Sequence, residues 1–475
     1  MTPSSAGWPT DPRLGEVLRR AIDVVRALDP LAMAALGEGV GPPPMDRARE
    51  SENIAVLRRL ALEADALGPL PTKADELDRA ALRWALGRAA DGALMDRPVG
   101  GRVMERHLLF CLSQVALDVP QAIDRLGDLV AAGPAMLAQS RVGAGAGSVA
   151  AGHLELEAVR RLPALLDACA GAVAEPGAAE VRFGVEAALG RLLEAAAESA
   201  GWLLKEYLPT APVPAVALVD PGRSGLGFTL EELEREAEDA LATAVSDLAQ
   251  AAAHLASDDA RAATPAQVRL AWEAAAATSG ARYGLPVSTS VDVRDAPGWL
   301  RPLLPPIALL SAPAADIAVV LLATAPADGL EEAVADIFVR DHLPAAAARV
   351  NPRVARRLLP SPELAEGWRA RPTTLVASST ELAWRAALAL AAIAMMRGQA
   401  TVDQAAELIA AESGLHLDRA RLQALAVAEQ PLSALTAMAG RRAMGEGVAA
   451  LGEQAVAGWL LEGALPGAVL RGLRR

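Results

Sequence analysis

The sequence predicts a mainly α-helical fold, a large multi-helical body with at most a small sheet. Three observations carry that expectation. Hydrophobic residues make up 52% of the chain but aromatics only 3%, with 2 Tyr and 4 Phe, so strand-favouring side chains are scarce where Ala and Leu abound. Apolar residues recur at three- and four-residue spacings in one segment after another. Helix-opening signatures precede several of these segments. The 475 residues can bury a large core. No shift in composition marks a linker, so 13–475 reads as one large unit, which could divide into two lobes, behind an N-terminus expected to be disordered through residue 12.

Taken in order, periodicity predicts helices over 13–28, 53–67, 73–90, 102–117, 153–172 and 180–206. The Pro- and Gly-rich Gly37–Pro44 reads as a loop. Val130–Ser140 looks helical with a Gly-Pro break inside it. Thr229-Leu-Glu-Glu232 forms a capping box, with Phe228 and Leu233 placed as a hydrophobic staple, and opens a helix through about Leu255. Thr264-Pro265-Ala-Gln267 repeats the logic with proline at the first helical position, where its missing N–H costs nothing. Thr401-Val-Asp-Gln404 starts another helix, which Gly414 ends. Strand signals are few. Pro214–Val219, Val287–Val293 and the Ile-, Leu- and Val-rich 305–323 have the β-branched content for a small sheet.

The net charge of −13 excludes a phosphate-backbone partner, because no basic stripe is available to release counterions. Of the 45 basic residues only Lys73 and Lys205 are lysine, the bias of a GC-rich, actinomycete-like genome. Cys111 and Cys169, the only cysteines, each sit in an apolar helical pattern and read as buried thiols. The N-terminus lacks the apolar segment of a secretory signal. Residues 305–326 are broken by Pro313 and Asp316, and 386–396 give only eleven uncharged positions, too few to span a bilayer. The expected location is cytoplasmic, with no membrane partner.

Several motifs invite chemistry and do not support it. Gly143-Ala-Gly145-Ala-Gly147 lacks the preceding strand that a phosphate loop requires, and a loop between helices accounts for it. Gly222-Arg-Ser224-Gly225 has Leu226 where a nucleophile elbow needs glycine. His254 and Asp258 lie four apart at a polar helix end, where a solvated pair suffices. His153, Glu155 and Glu157 do not share one helical face, and His107 lies in an apolar helix.

One region differs because several features coincide in order. Arg340-Asp341-His342-Leu343-Pro344-Ala345-Ala346-Ala347 is followed by Glu366-Gly367-Trp368. It resembles the bacterial family called domain of unknown function 885, a presumed zinc-peptidase family with His-Glu-x-x-Pro-Gly-His-His and then Glu-Gly-Trp. Further stretches from about Asp29 to Leu470 resemble that family in the same order. They are Asp29-Pro30, Leu70–Asp78, Gly227–Glu236, Val291–Pro306, Pro431–Gly440 and Gly463–Pro466. The resemblance implies a helical metallopeptidase-like body around an internal channel.

The departures are systematic. Arg340 and Ala346-Ala347 stand where the resemblance implies metal ligands. A guanidinium only donates hydrogen bonds, and alanine has no lone pair to offer. Ala392, Met396, Ala437 and Ala455-Val456 replace further polar family positions. Asp341 could act as a base with its carboxylate withdrawn by one methylene, roughly 1.5 Å, and Glu366 could still ligate, but no set of three ligands survives. The expectation is a pseudoenzyme without metal or cofactor. It binds a small molecule or peptide in a now apolar channel, or presents a partner surface; nothing in the sequence fixes its oligomeric state. The alternative is an enzyme with zinc-independent acid–base or shape-guided chemistry, such as natural-product tailoring, with Arg340, Asp341, His342 and Glu366 as its polar groups. Arg340 is expected to pair with Glu366 or Asp341 as a fixed internal cation, and His342 is equally well read as a surface helix residue.

Overall fold

Asp11 opens the first helix: its carboxylate accepts from the Arg13 and Leu14 N–H groups, and Pro12 occupies the first position of α1 (Pro12–Leu28). The computed structural model describes residues 7–31, 47–92, 99–142, 147–174, 179–213, 216, 226–252, 262–285, 290–310, 317–324, 329–358, 362–371, 376–462, 465 and 469–470. α1 packs with α2 (Arg47–Ala66) and α3 (Lys73–Gly92) over Leu14, Leu18, Leu57, Leu60, Leu82 and Leu86, all fully buried. Val354 and Ala355, from far along the chain, complete this core. An ionic clamp seals the junction. Asp75 and Asp78, both 0% exposed, face Arg353 and Arg356, with Arg353 Nε 2.7 Å from Asp78 and Arg356 Nε 2.7 Å from its other oxygen.

Of the N-terminal stretch expected to be disordered, residues 1–6 lie outside the described residues, and residues 7–12 make defined contacts. The Thr10 N–H donates to Asp75 at 3.0 Å, the Val354 N–H to Gly7 O at 3.0 Å, and Trp8 packs on the core. Residues 7–12 are therefore held in place. The loop expected over Gly37–Pro44 lies outside the described residues.

A second layer contains α4 (Gly100–Ala116), α5 (Ala122–Val142), α6 (Val149–Ala174) and α7 (Ala179–Trp202), the last running into a π-turn over Leu203–Tyr207. The Gly-Pro break expected in α5 is absent, and the helix continues through Pro134. Gly133 lies so close to Leu192 and Met104 that a Cβ there would approach them to within 2.8 Å. That packing holds the segment helical where Pro134 cannot donate. Cys111 and Cys169 are free and buried, and burial pushes their thiols up to about 11 and about 12, so both are inert at neutral pH.

The third core includes α8 (Leu230–Ala252), α9 (Pro265–Tyr283) and the chain beyond them. The three capping boxes form as expected: Thr229 with Glu232, Thr264 with Gln267 and Thr401 with Gln404 exchange reciprocal side-chain-to-backbone bonds. Phe228 and Leu233 are both buried in this core, and Gly414 ends its helix in the left-handed conformation at φ 69°.

Strands β1 (Val291–Asp295), β2 (Ile307–Leu310) and β3 (Ala318–Leu322) form a sheet of order β1-β3-β2, with β1 parallel and β2 antiparallel to β3. β3 is buried on both faces. Its period of two sends Ala318, Val320 and Leu322 into the third core and Val319 and Leu321 into the α4–α7 core. The strand thus joins the two helical layers. The strand expected at Pro214–Val219 falls almost wholly outside the described residues, as do residues 287–289 of the strand expected at Val287–Val293, of which β1 contains Val291–Val293.

The remaining helices are α10 (Leu330–Ile337), α11 (Leu343–Val350), α12 (Val354–Leu358), α13 (Pro362–Arg369), α14 (Val376–Met396), α15 (Val402–Ser413), α16 (Leu417–Glu429), α17 (Pro431–Leu451) and α18 (Glu453–Gly458). Among the described residues one window, Ser379–Met396 in α14, is long and apolar enough to cross a membrane by composition, and 61% of it is buried inside the fold. It packs chiefly on α8, α15 and α17, as the core helix of a globular body does.

Candidate functional site

Helix α10 does not stop before α11. A π-turn, Phe338–His342, joins them, so the chain stays helical through Pro344. In an α-helix the Leu343 N–H would bond to Val339 O; here it reaches back one residue further, to Phe338 O. The next candidate donor to Val339 O is residue 344, a proline without an N–H. Trp368 on α13 fills the vacancy, its indole Nε1 donating to Val339 O at 2.7 Å. Pro344 and Trp368 therefore have linked structural roles.

Gly367 has a different role in the same scaffold. A Cβ on it would lie 2.2 Å from the Gly440 backbone, so α13 and α17 cross at a contact between two glycines.

Around this frame the polar side chains of the 340–368 region pair with one another and with α14. Arg340 donates to Glu381, lies 3.4 Å from Asp336 one turn before it, and lies 3.6 Å from Asp341. Arg369 Nε stands 2.9 Å from Asp341, and its Nη1 is 2.9 Å from Glu366. Arg385 closes the cluster: it donates to Glu366 and, through Nε at 2.9 Å and Nη2 at 2.6 Å, to Glu381. Burial opposes the charge of Arg385, but Glu366 and Glu381 outweigh it and raise its pKa. Four carboxylates face three guanidiniums, leaving one net negative charge.

Arg340 and Asp341 thus meet, as expected, but Arg340 takes Glu381 and Asp336 as its nearer partners. Glu366 belongs to Arg369 and Arg385. His342 is 1% exposed, against the reading of a surface residue. Its ring packs edge-on to Trp272 at 4.8 Å and against Phe338 at 5.0 Å. The π-turn carries it into the interior, where it packs with these rings. Ala346, Ala347, Ala392, Met396, Ala437 and Val456 are all buried, at 5% exposure or less, and pack in the interior; none of them lines the cleft described below. Ala455, by contrast, is exposed.

Sequence reasoning missed Asp336, Arg369, Glu381 and Arg385. A signal existed for the last two: they are the only charges in the apolar window 379–396, spaced i, i+4 on one helical face. A metal ion here would have to displace guanidiniums from the carboxylates. Among the described residues no group of three or more His, Cys, Asp or Glu is placed to hold one.

Glu381 also faces an open cleft of about 1440 Å³ bounded by α6, α14, α15 and α16. His153, Glu157 and Arg161 project into it from α6, at i, i+4 and i+8. Their neighbour Glu155 points the other way, 2% exposed, where its carboxylate accepts from the Gly101 and Arg102 N–H groups at the start of α4. Glu155 thus lies on a different face from His153 and Glu157, in keeping with the spacing. Trp384 stands near Glu381 in the cleft wall, and Asp403, Asp418, Arg419 and Arg421 form the far side. The motifs at 143–147, 222–225 and 254–258 lie wholly or mostly outside the described residues.

No family model matches the chain, and no curated protein matches it. Solved structures do. The crystal structure of "the putative lipoprotein from Colwellia psychrerythraea" superposes with a TM-score of 0.66 at 12% identity, over 97% of this chain and 98% of that one. A "putative lipoprotein of unknown function from Shewanella oneidensis" gives a TM-score of 0.64 at 12% identity, over 97% and 99%. This chain is similar to both along nearly its whole length, and what it shares with them is the mainly helical fold.

Proposed function

We propose that this protein is a metal-free, non-peptidase relative of the domain of unknown function 885 family, and that it binds a small molecule or peptide in the cleft between α6 and α14–α16. The observation that carries this reading is the ionic cluster. Each carboxylate that could have served a metal or a base near the old motif is ion-paired to arginine, while the other family positions are interior alkyl groups or, at Ala455, an exposed methyl. Pro344, Gly367, Trp368 and Gly440 persist for structural reasons given by the π-turn and the glycine contact. A kept scaffold and an abandoned reaction fit that division. The cleft is larger than the roughly 300–1000 Å³ of an ordinary small-molecule pocket. Its wall mixes both signs of charge with Trp384, Val402 and Leu422, so the ligand site is amphoteric rather than the apolar channel expected from the sequence.

The test is a thermal-shift screen of the whole chain against short peptides, organic acids and amines, in the presence and absence of zinc. The reading predicts a ligand-dependent rise in Tm that Trp384→Ala removes and that zinc does not alter. Zinc-dependent peptide cleavage lost in Glu366→Gln would overturn it. The cytoplasmic location belongs to the same proposal. Fractionation of cells expressing the full gene should leave the protein in the soluble fraction, and a lipid-modified, membrane-bound form would contradict it.

A further inference from the structure

Resting on that binding reading, we propose that the cleft selects ligands with a free carboxylate, held by Arg419 and Arg421 of α16 beside His153 of α6. Arg419 makes no ion pair or hydrogen bond among the described residues and lines the cleft. Arg421 meets Asp403 at 3.1 Å, but the two side chains are 63% and 71% exposed, so water already screens that pair and a ligand anion can compete for it. His153 makes no hydrogen bond among the described residues. Burial first, then Arg421 and Arg160, lower its pKa, with Glu157 acting the other way. The imidazole is therefore neutral at pH 7 and can donate one N–H to an incoming oxygen.

Repulsion from the opposite wall is weak. Glu381 is bound by Arg340 and Arg385, and Glu157 lies 2.9 Å from Arg160. On α16 itself, Asp418 is 89% exposed, so water screens its charge. A carboxylate entering near α16 thus meets Arg421 or Arg419, the latter without an ion pair among the described residues, and each guanidinium is a planar fork suited to a carboxylate. The volume of the cleft admits a ligand of peptide size behind that carboxylate.

Calorimetric titration of the full chain with trialanine free at both ends, with its C-terminal amide and with its N-acetyl form tests this directly. The free and N-acetyl forms should bind, and amidation should weaken binding about tenfold. Arg421→Gln and Arg419→Gln should each weaken the free peptide and leave the amide unchanged. Both positions are exposed, so an unaltered Tm certifies the fold of each variant. Equal affinity for acid and amide overturns the carboxylate assignment while the binding reading stands. Absence of binding by all three forms removes the assignment, whereas failure of the wider screen as well removes the binding reading.

Discussion

The Trp368 indole donates to the Val339 carbonyl at 2.7 Å, and the reason lies five residues beyond Val339, at Pro344. The π-turn takes the Leu343 N–H away from Val339, and proline offers none in its place. Trp368→Phe should therefore leave a buried carbonyl unpaired and destabilise the protein by about 1–3 kcal/mol. Pro344→Ala supplies an N–H that can serve Val339. In a double-mutant cycle by urea unfolding, Trp368→Phe should cost less in the Pro344→Ala background. Additive losses would break the proposed link.

Gly367 and Gly440 meet backbone to backbone. Gly367→Ala forces α13 and α17 apart, because its Cβ would lie 2.2 Å from Gly440. The expected cost exceeds that of an ordinary overpacked core, about 1–3 kcal/mol. The readout is the urea midpoint or, if folding fails, loss of soluble protein. A stability within a few tenths of a kcal/mol of the parent would show that the contact yields freely.

Arg385 neutralises two carboxylates at once. Arg385→Gln should leave Glu366 and Glu381 short of a cation and destabilise the fold by about 3 kcal/mol. Adding Glu381→Gln to that variant should restore part of the loss, since it removes one stranded charge. Chemical denaturation of the three variants measures both effects. An unchanged midpoint for Arg385→Gln would mean that the cluster is a solvated surface feature.

Glu155 gives the protein a pH dependence of definite sign. Burial pushes its carboxyl up to about 7, against the pull of the Gly101 and Arg102 N–H groups. The folded state then binds more protons than the unfolded state between the ordinary carboxyl value of 4.5 and about 7. Stability from this group is present below that window and declines as pH rises through it. The difference between the parent and Glu155→Gln, measured by urea unfolding from pH 4.5 to 8, should shift by roughly 3 kcal/mol across the window. A flat difference would place Glu155 in contact with water.

Much of the fold was legible because its signals are local. Thr229, Thr264 and Thr401 announce helices through contacts spanning three residues, and β-branched runs marked β1 and β3. The site was less legible because its decisive contacts are not local. Nothing near Arg340 in sequence points to Glu381, 41 residues away. The inward turn of His342 depends on a π-turn that no periodicity reports. Likewise, His153, Glu157 and Arg161 share a face that was hidden by the nearer charge at Glu155. Pro344, Gly367 and Trp368, singled out in the sequence for chemistry, shape the backbone instead.

The carboxylates Asp341, Glu366 and Glu381 are each paired with arginine, and the proposal is that they hold no metal. Elemental analysis of the intact protein, purified after growth with added zinc, tests it most directly. The account predicts no stoichiometric zinc, and the same result for Glu366→Gln. A full equivalent of zinc in the parent protein, lost in Glu366→Gln, would contradict it.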